Sequence, residues 1–138
     1  MSEPARVQPD ANKKAKPPRS ILIVDDSSTI RQQTRTLLES HGFRIVEATN
    51  GAEGLEEAKK AFFDLILVDV NMPVMNGLEM ITHVRKLPEY QKTPIFVLTT
   101  ESSGDTVRKG KAAGATAWVV KPFKADVLVP AIRKVLQP

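Results

Sequence analysis

Four short apolar runs punctuate the chain: Ile21-Leu22-Ile23-Val24, Leu65-Ile66-Leu67-Val68, Ile95-Phe96-Val97-Leu98 and Ala117-Trp118-Val119-Val120. They are rich in β-branched side chains and lack the apolar–polar alternation of a strand with one wet face. Each is therefore predicted to be a strand covered on both faces. The more mixed Phe43-Arg44-Ile45-Val46-Glu47-Ala48 predicts an edge strand. Helix-length stretches with a 3.6-residue apolar period lie between the runs. The clearest is the last, where Val127, Leu128, Ala131, Ile132, Val135 and Leu136 form one stripe. His41-Gly42 marks a helix end, a histidine suited to the negative pole followed by a glycine suited to the left-handed region. Pro94 forbids helix through its own position, just ahead of the fourth run. The stretch from Asp105 to Ala113, with Gly104 before it and Gly110 inside it, has few large apolar residues and is the weakest predicted helix.

Five βα units in about 119 residues imply an α/β fold, a parallel sheet with helices on both faces. Right-handed crossovers favour a doubly wound, three-layer α/β/α sandwich. A chain of 138 residues suits one domain with a real core, burying roughly two-thirds of its unfolded surface.

The absence of cysteine excludes disulfides, thiolate metal sites and thiol catalysis. No apolar run is long enough to cross a bilayer and no signal peptide is evident, so no membrane insertion and a cytoplasmic location are expected. The net charge of +4 suggests nucleic-acid binding only until it is located. Residues 1–19 hold Arg6, Lys13, Lys14, Lys16 and Arg19 against Glu3 and Asp10, a balance of +3 that leaves about +1 for residues 20–138. With Pro4, Pro9, Pro17 and Pro18 and almost no large apolar side chains, residues 1–19 are expected to be a disordered basic leader. The same charges also suit an arm that docks on an acidic surface.

In an open α/β sheet, ligands bind beyond the carboxyl ends of the strands. There the chain places Asp25-Asp26, Asp69, Thr99 and Lys121, from four different strands. Singly, each has an ordinary use: Asp26 or Ser27 suits the cap of the first helix, and Lys121 suits an exposed loop. Jointly they point to chemistry. Three carboxylates held close repel, each pair by about 1–4 kcal/mol, and a divalent cation relieves that. An all-oxygen donor set suits Mg²⁺. With Asp69 as nucleophile forming an acyl phosphate, Asp25 and Asp26 remain to hold the metal, and Asp69 itself and the backbone carbonyl of Asn71 are expected to complete the set. Lys121 then balances phosphoryl charge, and the Thr99 hydroxyl donates to a phosphoryl oxygen. Pro122 restricts Lys121 to extended backbone, which helps aim its ammonium group, and leaves a cis bond open.

These residues resemble the receiver domain of two-component response regulators, of the CheY type. The resemblance covers nearly all of residues 20–137. It rests on Val24-Asp25-Asp26-Ser27, Val68-Asp69-Val70-Asn71-Met72-Pro73 with Asn76-Gly77, Leu98-Thr99-Thr100-Glu101, and Gly114-Ala115 through Lys121-Pro122-Phe123. It implies the flavodoxin-like strand order 2-1-3-4-5, with residues 20–138 as the receiver domain. It also implies phosphorylation of Asp69 by a CheA-like sensor histidine kinase in a Mg²⁺-dependent reaction, within a chemotaxis or motility pathway. Thr99 and Trp118 would then shift, changing the partner preference of the face made by the fourth helix, fifth strand and fifth helix. Asn71 and Glu101 occupy positions that tune acyl-phosphate hydrolysis in the family, so a short-lived phosphate is expected.

Trp118 stands where tyrosine or phenylalanine is usual, Thr100 where a small residue is common, and Asn76 where aspartate is common. A monomer is expected. No activity is expected beyond the chain's own phosphotransfer and autodephosphorylation, and no direct DNA reading without an output module. Two alternatives use similar parts: a shuttle between histidine-phosphorylated proteins, and an aspartyl-phosphate phosphatase, against which stands Asn71 in place of a second acid. A flavin-binding fold is disfavoured by the acidic turn after the first strand.

Overall fold

The computed structural model describes residues 19–136. The expectation of a disordered leader falls on residues that, Arg19 excepted, lie outside the described ones. Five strands, β1 (Ser20–Val24), β2 (Arg44–Ala48), β3 (Leu65–Val68), β4 (Ile95–Thr99) and β5 (Ala117–Val120), form one sheet in the order β2-β1-β3-β4-β5. All four pairings are parallel. Five helices alternate with them: α1 (Ser28–Ser40), α2 (Gly51–Lys60), α3 (Gly77–Val84), α4 (Gly104–Ala113) and α5 (Ala125–Leu136).

The continuous apolar runs work because successive strand residues feed opposite cores. Leu22, Val24, Ile66, Val68, Ile95 and Val97 pack with Ala58 of α2 and Met80, Ile81 and Val84 of α3. Ile21, Ile23, Leu65, Leu67, Phe96 and Leu98 pack with Leu38 of α1 and Leu128, Val129 and Ile132 of α5. The result is the three-layer sandwich, with α1 and α5 on one face. Tyr90 is fully buried at the edge of the first core. Its hydroxyl accepts the Phe63 N–H at 3.2 Å and donates toward the carbonyls of Ala61 and Ala58. Burial pushes the Tyr90 phenol above its ordinary value.

Local signals explain the helix boundaries. Ser27, Asn50, Asn76 and Ser103 each cap a helix, their side-chain oxygens accepting backbone N–H groups of the first turn. Asn76 and Glu79 form a reciprocal capping box, which gives the asparagine a structural task. Helix α1 ends at His41-Gly42 as expected, with Gly42 at φ +90°.

Two expectations need correction. β5 is an edge strand, and its side chains are half-buried or, at Val120, exposed. The apolar stripe of α5 does not contain Val127, which is 57% exposed; Val129 takes its place. Residues 128, 129, 132, 135 and 136 lie on one side of the helix, whereas 127 is rotated away from them at 100° per residue.

Candidate functional site

The strand register assembles the acidic rim. Val24 of β1 is level with Val68 of β3, and the Asp69 N–H donates to the Val24 carbonyl at 3.0 Å. The residues after these two strands, Asp25 and Asp69, are thereby forced side by side. Thr99 of β4 is level with Val120 of β5, and the Lys121 N–H donates to the Thr99 carbonyl at 2.8 Å. Four strands thus deliver their terminal residues to one rim. The Lys121–Pro122 bond is cis.

Lys121 Nζ bridges two of the acids, 2.6 Å from Asp25 Oδ2 and 3.2 Å from Asp69 Oδ2. Asp25 is 3% exposed and Asp69 9%. Asp26 is exposed, yet one oxygen from each of Asp25, Asp26 and Asp69 lies within 4.8 Å of the others. Asp69 Oδ1 is buried without a hydrogen-bond partner. An unpartnered buried carboxylate oxygen is costly, and Lys121 reaches only the other oxygen of Asp69, while the acids grouped with it present carboxylate oxygens. The donor set therefore fits a hard divalent cation such as Mg²⁺. Capping of α1 falls to Ser27, which leaves the Asp26 carboxylate free of that duty.

Asn71 lies exposed, two residues past Asp69, at the start of the β3–α3 loop. That loop turns tightly at Val74, whose φ of +68° is unfavourable for a β-branched residue. The Met75 N–H donates to the Pro73 carbonyl at 2.7 Å across the turn, and the Met75 carbonyl accepts the Gly51 N–H at 2.9 Å. Gly77 then passes so close to the Asp69 carbonyl that any Cβ would overlap it. Glycine there lets α3 begin directly behind the acid.

Thr99 is fully buried, and its hydroxyl accepts the Glu101 N–H at 3.3 Å. The Glu101 carbonyl accepts the Trp118 Nε1–H at 2.9 Å. Thr99, Glu101 and Trp118 are therefore joined in series. The half-buried indole leans on α4 at Gly110, where a Cβ would overlap the six-membered ring. Trp118 thus touches the first core rather than hanging free at the sheet edge. Thr100, next along the chain after Thr99, is exposed.

Residues 21–133 match the sequence model of the response regulator receiver domain. The chain belongs to that family. The receiver domain is similar to chemotaxis protein CheY-3 of Vibrio cholerae, 35% identical over 118 residues that cover 85% of this chain and 91% of that protein. Chemotaxis protein CheY of Pseudomonas aeruginosa is 36% identical, the match covering 85% of this chain and 95% of that one. Among solved structures, the chemotaxis response regulator CheY4 of Vibrio cholerae superposes with a TM-score of 0.81 at 45% identity, covering 86% of this chain and 98% of its own. The fold, strand order included, is that of these receiver domains. Among the described residues no helix is long and apolar enough to cross a membrane.

Sequence reasoning missed several residues around the rim. Arg31 donates from Nη1 to the Asp25 carbonyl at 2.6 Å. Glu47 of β2 accepts from Arg31 Nε at 3.0 Å and from Arg35 Nη1 at 2.6 Å. The Arg35 guanidinium holds the Glu47 carboxyl below the usual range, and Arg31 adds to the effect. The one hint in the sequence was the i, i+4 spacing of Arg31 and Arg35 on α1. Nothing local pairs Gly110 with Trp118 or Gly77 with Asp69.

Proposed function

We propose that this receiver domain is a phosphorylation switch whose acceptor is Asp69. The observation that carries the proposal is the buried Asp69 carboxylate, one oxygen unpartnered and the other facing Lys121, within 4.8 Å of two further acids. A phosphohistidine on a sensor kinase is the donor. A carboxylate oxygen of Asp69 attacks phosphorus, an O–P bond forms, the N–P bond breaks, and the imidazole nitrogen leaves with the electron pair. Asp25, Asp26, Asp69 and the Asn71 carbonyl would hold Mg²⁺, which when bound neutralises charge on the transferring phosphoryl oxygens. Lys121 already spans Asp25 and Asp69 and is the cation available to balance the new phosphoryl charge. Thr99 is able to turn its hydroxyl from the Glu101 N–H to a phosphoryl oxygen, which would disturb the series running to Trp118. Phosphorylation acts only through such differential contacts with states already accessible.

Val120 of β5 and Val127 of α5 are 44% and 57% exposed, large apolar side chains on two of the three elements α4, β5 and α5, and they favour the face made by these elements as the docking surface for a target protein. Asn71 and Glu101 would tune hydrolysis of the acyl phosphate. The chemotaxis names of the relatives support a role in motility signalling. On this reading the protein works by binding partners, with no catalysis beyond its own phosphotransfer and autodephosphorylation.

The test is to mix the protein with Mg²⁺ and acetyl phosphate, or with beryllofluoride, and follow intact mass and Trp118 fluorescence. A phosphoryl adduct that a chelator prevents and Asp69→Asn abolishes is expected. An adduct that survives the Asp69→Asn substitution overturns the proposal.

A further inference from the structure

Asp25 is held at every polar atom it offers. Its N–H donates to the Ala48 carbonyl at 3.1 Å, and its Oδ1 accepts the Ser27 N–H at 2.9 Å. Its Oδ2 faces Lys121 Nζ at 2.6 Å, and its carbonyl accepts Arg31 Nη1 at 2.6 Å. Three of these restraints come from the sheet, the α1 cap and the site itself. The fourth reaches in from the side of α1.

That fourth restraint is aimed by others. Arg31 Nε rests on Glu47 Oε1 at 3.0 Å, the second Glu47 oxygen takes Arg35 Nη1 at 2.6 Å, and Arg35 Nε reaches Glu39 at 3.1 Å. Arg31 and Arg35 sit one turn apart on α1, so both meet the same carboxylate of β2. The Arg31 side chain is only 14% exposed. A run of four charged side chains therefore ends on one backbone carbonyl beside the acidic rim. Asp26, by contrast, makes no hydrogen bond or ion pair of its own side chain among the described residues.

We infer that Arg31 is a positioning residue for the acidic site, fixing the plane of the Asp25–Asp26 peptide and so the direction in which Asp26 presents its carboxylate. This inference rests on the reading that the three acids hold a divalent cation. Orientation of ligands by groups outside the coordination sphere commonly governs affinity ten- to a hundredfold. The charge of Arg31 works the other way. A guanidinium next to the site repels a divalent cation, so charge alone would make its removal tighten binding. Position and charge thus predict opposite signs.

The experiment is a Mg²⁺ titration of the full chain, followed by calorimetry and by Trp118 fluorescence, for the unaltered protein, Arg31→Met, Arg31→Lys and Arg35→Met. Arg31→Met is expected to weaken Mg²⁺ about tenfold. Arg31→Lys, which keeps the charge on a single donor nitrogen, recovers part of the loss. Arg35→Met removes a cation from the α1 surface and loosens Glu47, and it is expected to weaken binding about two- to threefold. Should Arg31→Met fail to fold by circular dichroism, Arg35→Met decides, because its site is half exposed and its sign is equally diagnostic. Binding as tight or tighter in the folded methionine variants overturns the inference alone. An unaltered chain that takes up no Mg²⁺ overturns the reading of the site and the inference with it.

Discussion

Replacing Lys121 by methionine keeps most of the side-chain stem and removes one buried cation from between two acids. Lys121 Nζ lies 2.6 Å from Asp25 and 3.2 Å from Asp69, with the three side chains 10%, 5% and 12% exposed. At an effective dielectric near 20 these contacts represent gross attractions of about 6 and about 5 kcal/mol. Desolvation of the charges cancels much of that, several kcal/mol per ion. Taking away one partner leaves two close carboxylates uncompensated, and such a loss costs about 3–5 kcal/mol. With an unfolding entropy of about 2.1 cal/mol/K per residue over the 118 described residues, each kcal/mol corresponds to about 4 °C. Lys121→Met is therefore expected to melt roughly 12–20 °C lower in metal-free buffer at pH 7. Added Mg²⁺ should then raise the melting temperature of the variant more than that of the unaltered chain, since the ion no longer shares the carboxylates with Nζ. Thermal scans by circular dichroism, with and without Mg²⁺, check both parts. A loss below about 1 kcal/mol, or an equal Mg²⁺ effect on both proteins, refutes the electrostatic account.

Two further predictions concern the flanks of the site. Gly110→Ala gains up to about 1 kcal/mol of helix propensity but drives a methyl group into the Trp118 ring, at a cost of about 1–3 kcal/mol. A net loss of stability and a red-shifted emission are expected as the indole moves outward and releases the Glu101 carbonyl, and an unchanged spectrum would contradict that packing. Glu47→Gln is expected to cost about 1 kcal/mol at neutral pH. The folded-state pKa of Glu47 lies below the ordinary value of 4.5, so its contribution is complete above pH 4.5 and is lost as pH falls through the folded value. Urea unfolding at pH 7 and at pH 3 should show the gap between the two proteins closing in acid, and a gap that widens there refutes the assignment.

The sheet was legible because burial on two faces demands unbroken apolar runs, and four of them stand in the chain with no competing pattern. β5 was misjudged because Ala117–Val120 reads like a central strand while its place at the edge depends on pairing order, which no local pattern encodes. Val127 was misplaced for a related reason: an apolar residue next to an apolar stripe looks like part of it, and only packing against β1, β3 and β4 sets which side of α5 turns inward. Acids and a lysine at strand ends were visible because carboxyl strand ends are where such folds gather their ligands.

What the sequence determined by itself was therefore the set of elements, their alternation and the identities of the rim residues. These follow from unbroken apolar runs, from a period of 3.6 between them and from the residues that punctuate both, all within a few positions of one another. Tertiary structure alone decided that Lys121 spans Asp25 and Asp69, that Gly77 and Gly110 make room for Asp69 and Trp118, and that Arg31 reaches the Asp25 carbonyl with Glu47 behind it. Each of these joins residues from different elements, and its energy falls steeply over an ångström or two, a distance set by strand register and helix packing rather than by neighbours along the chain.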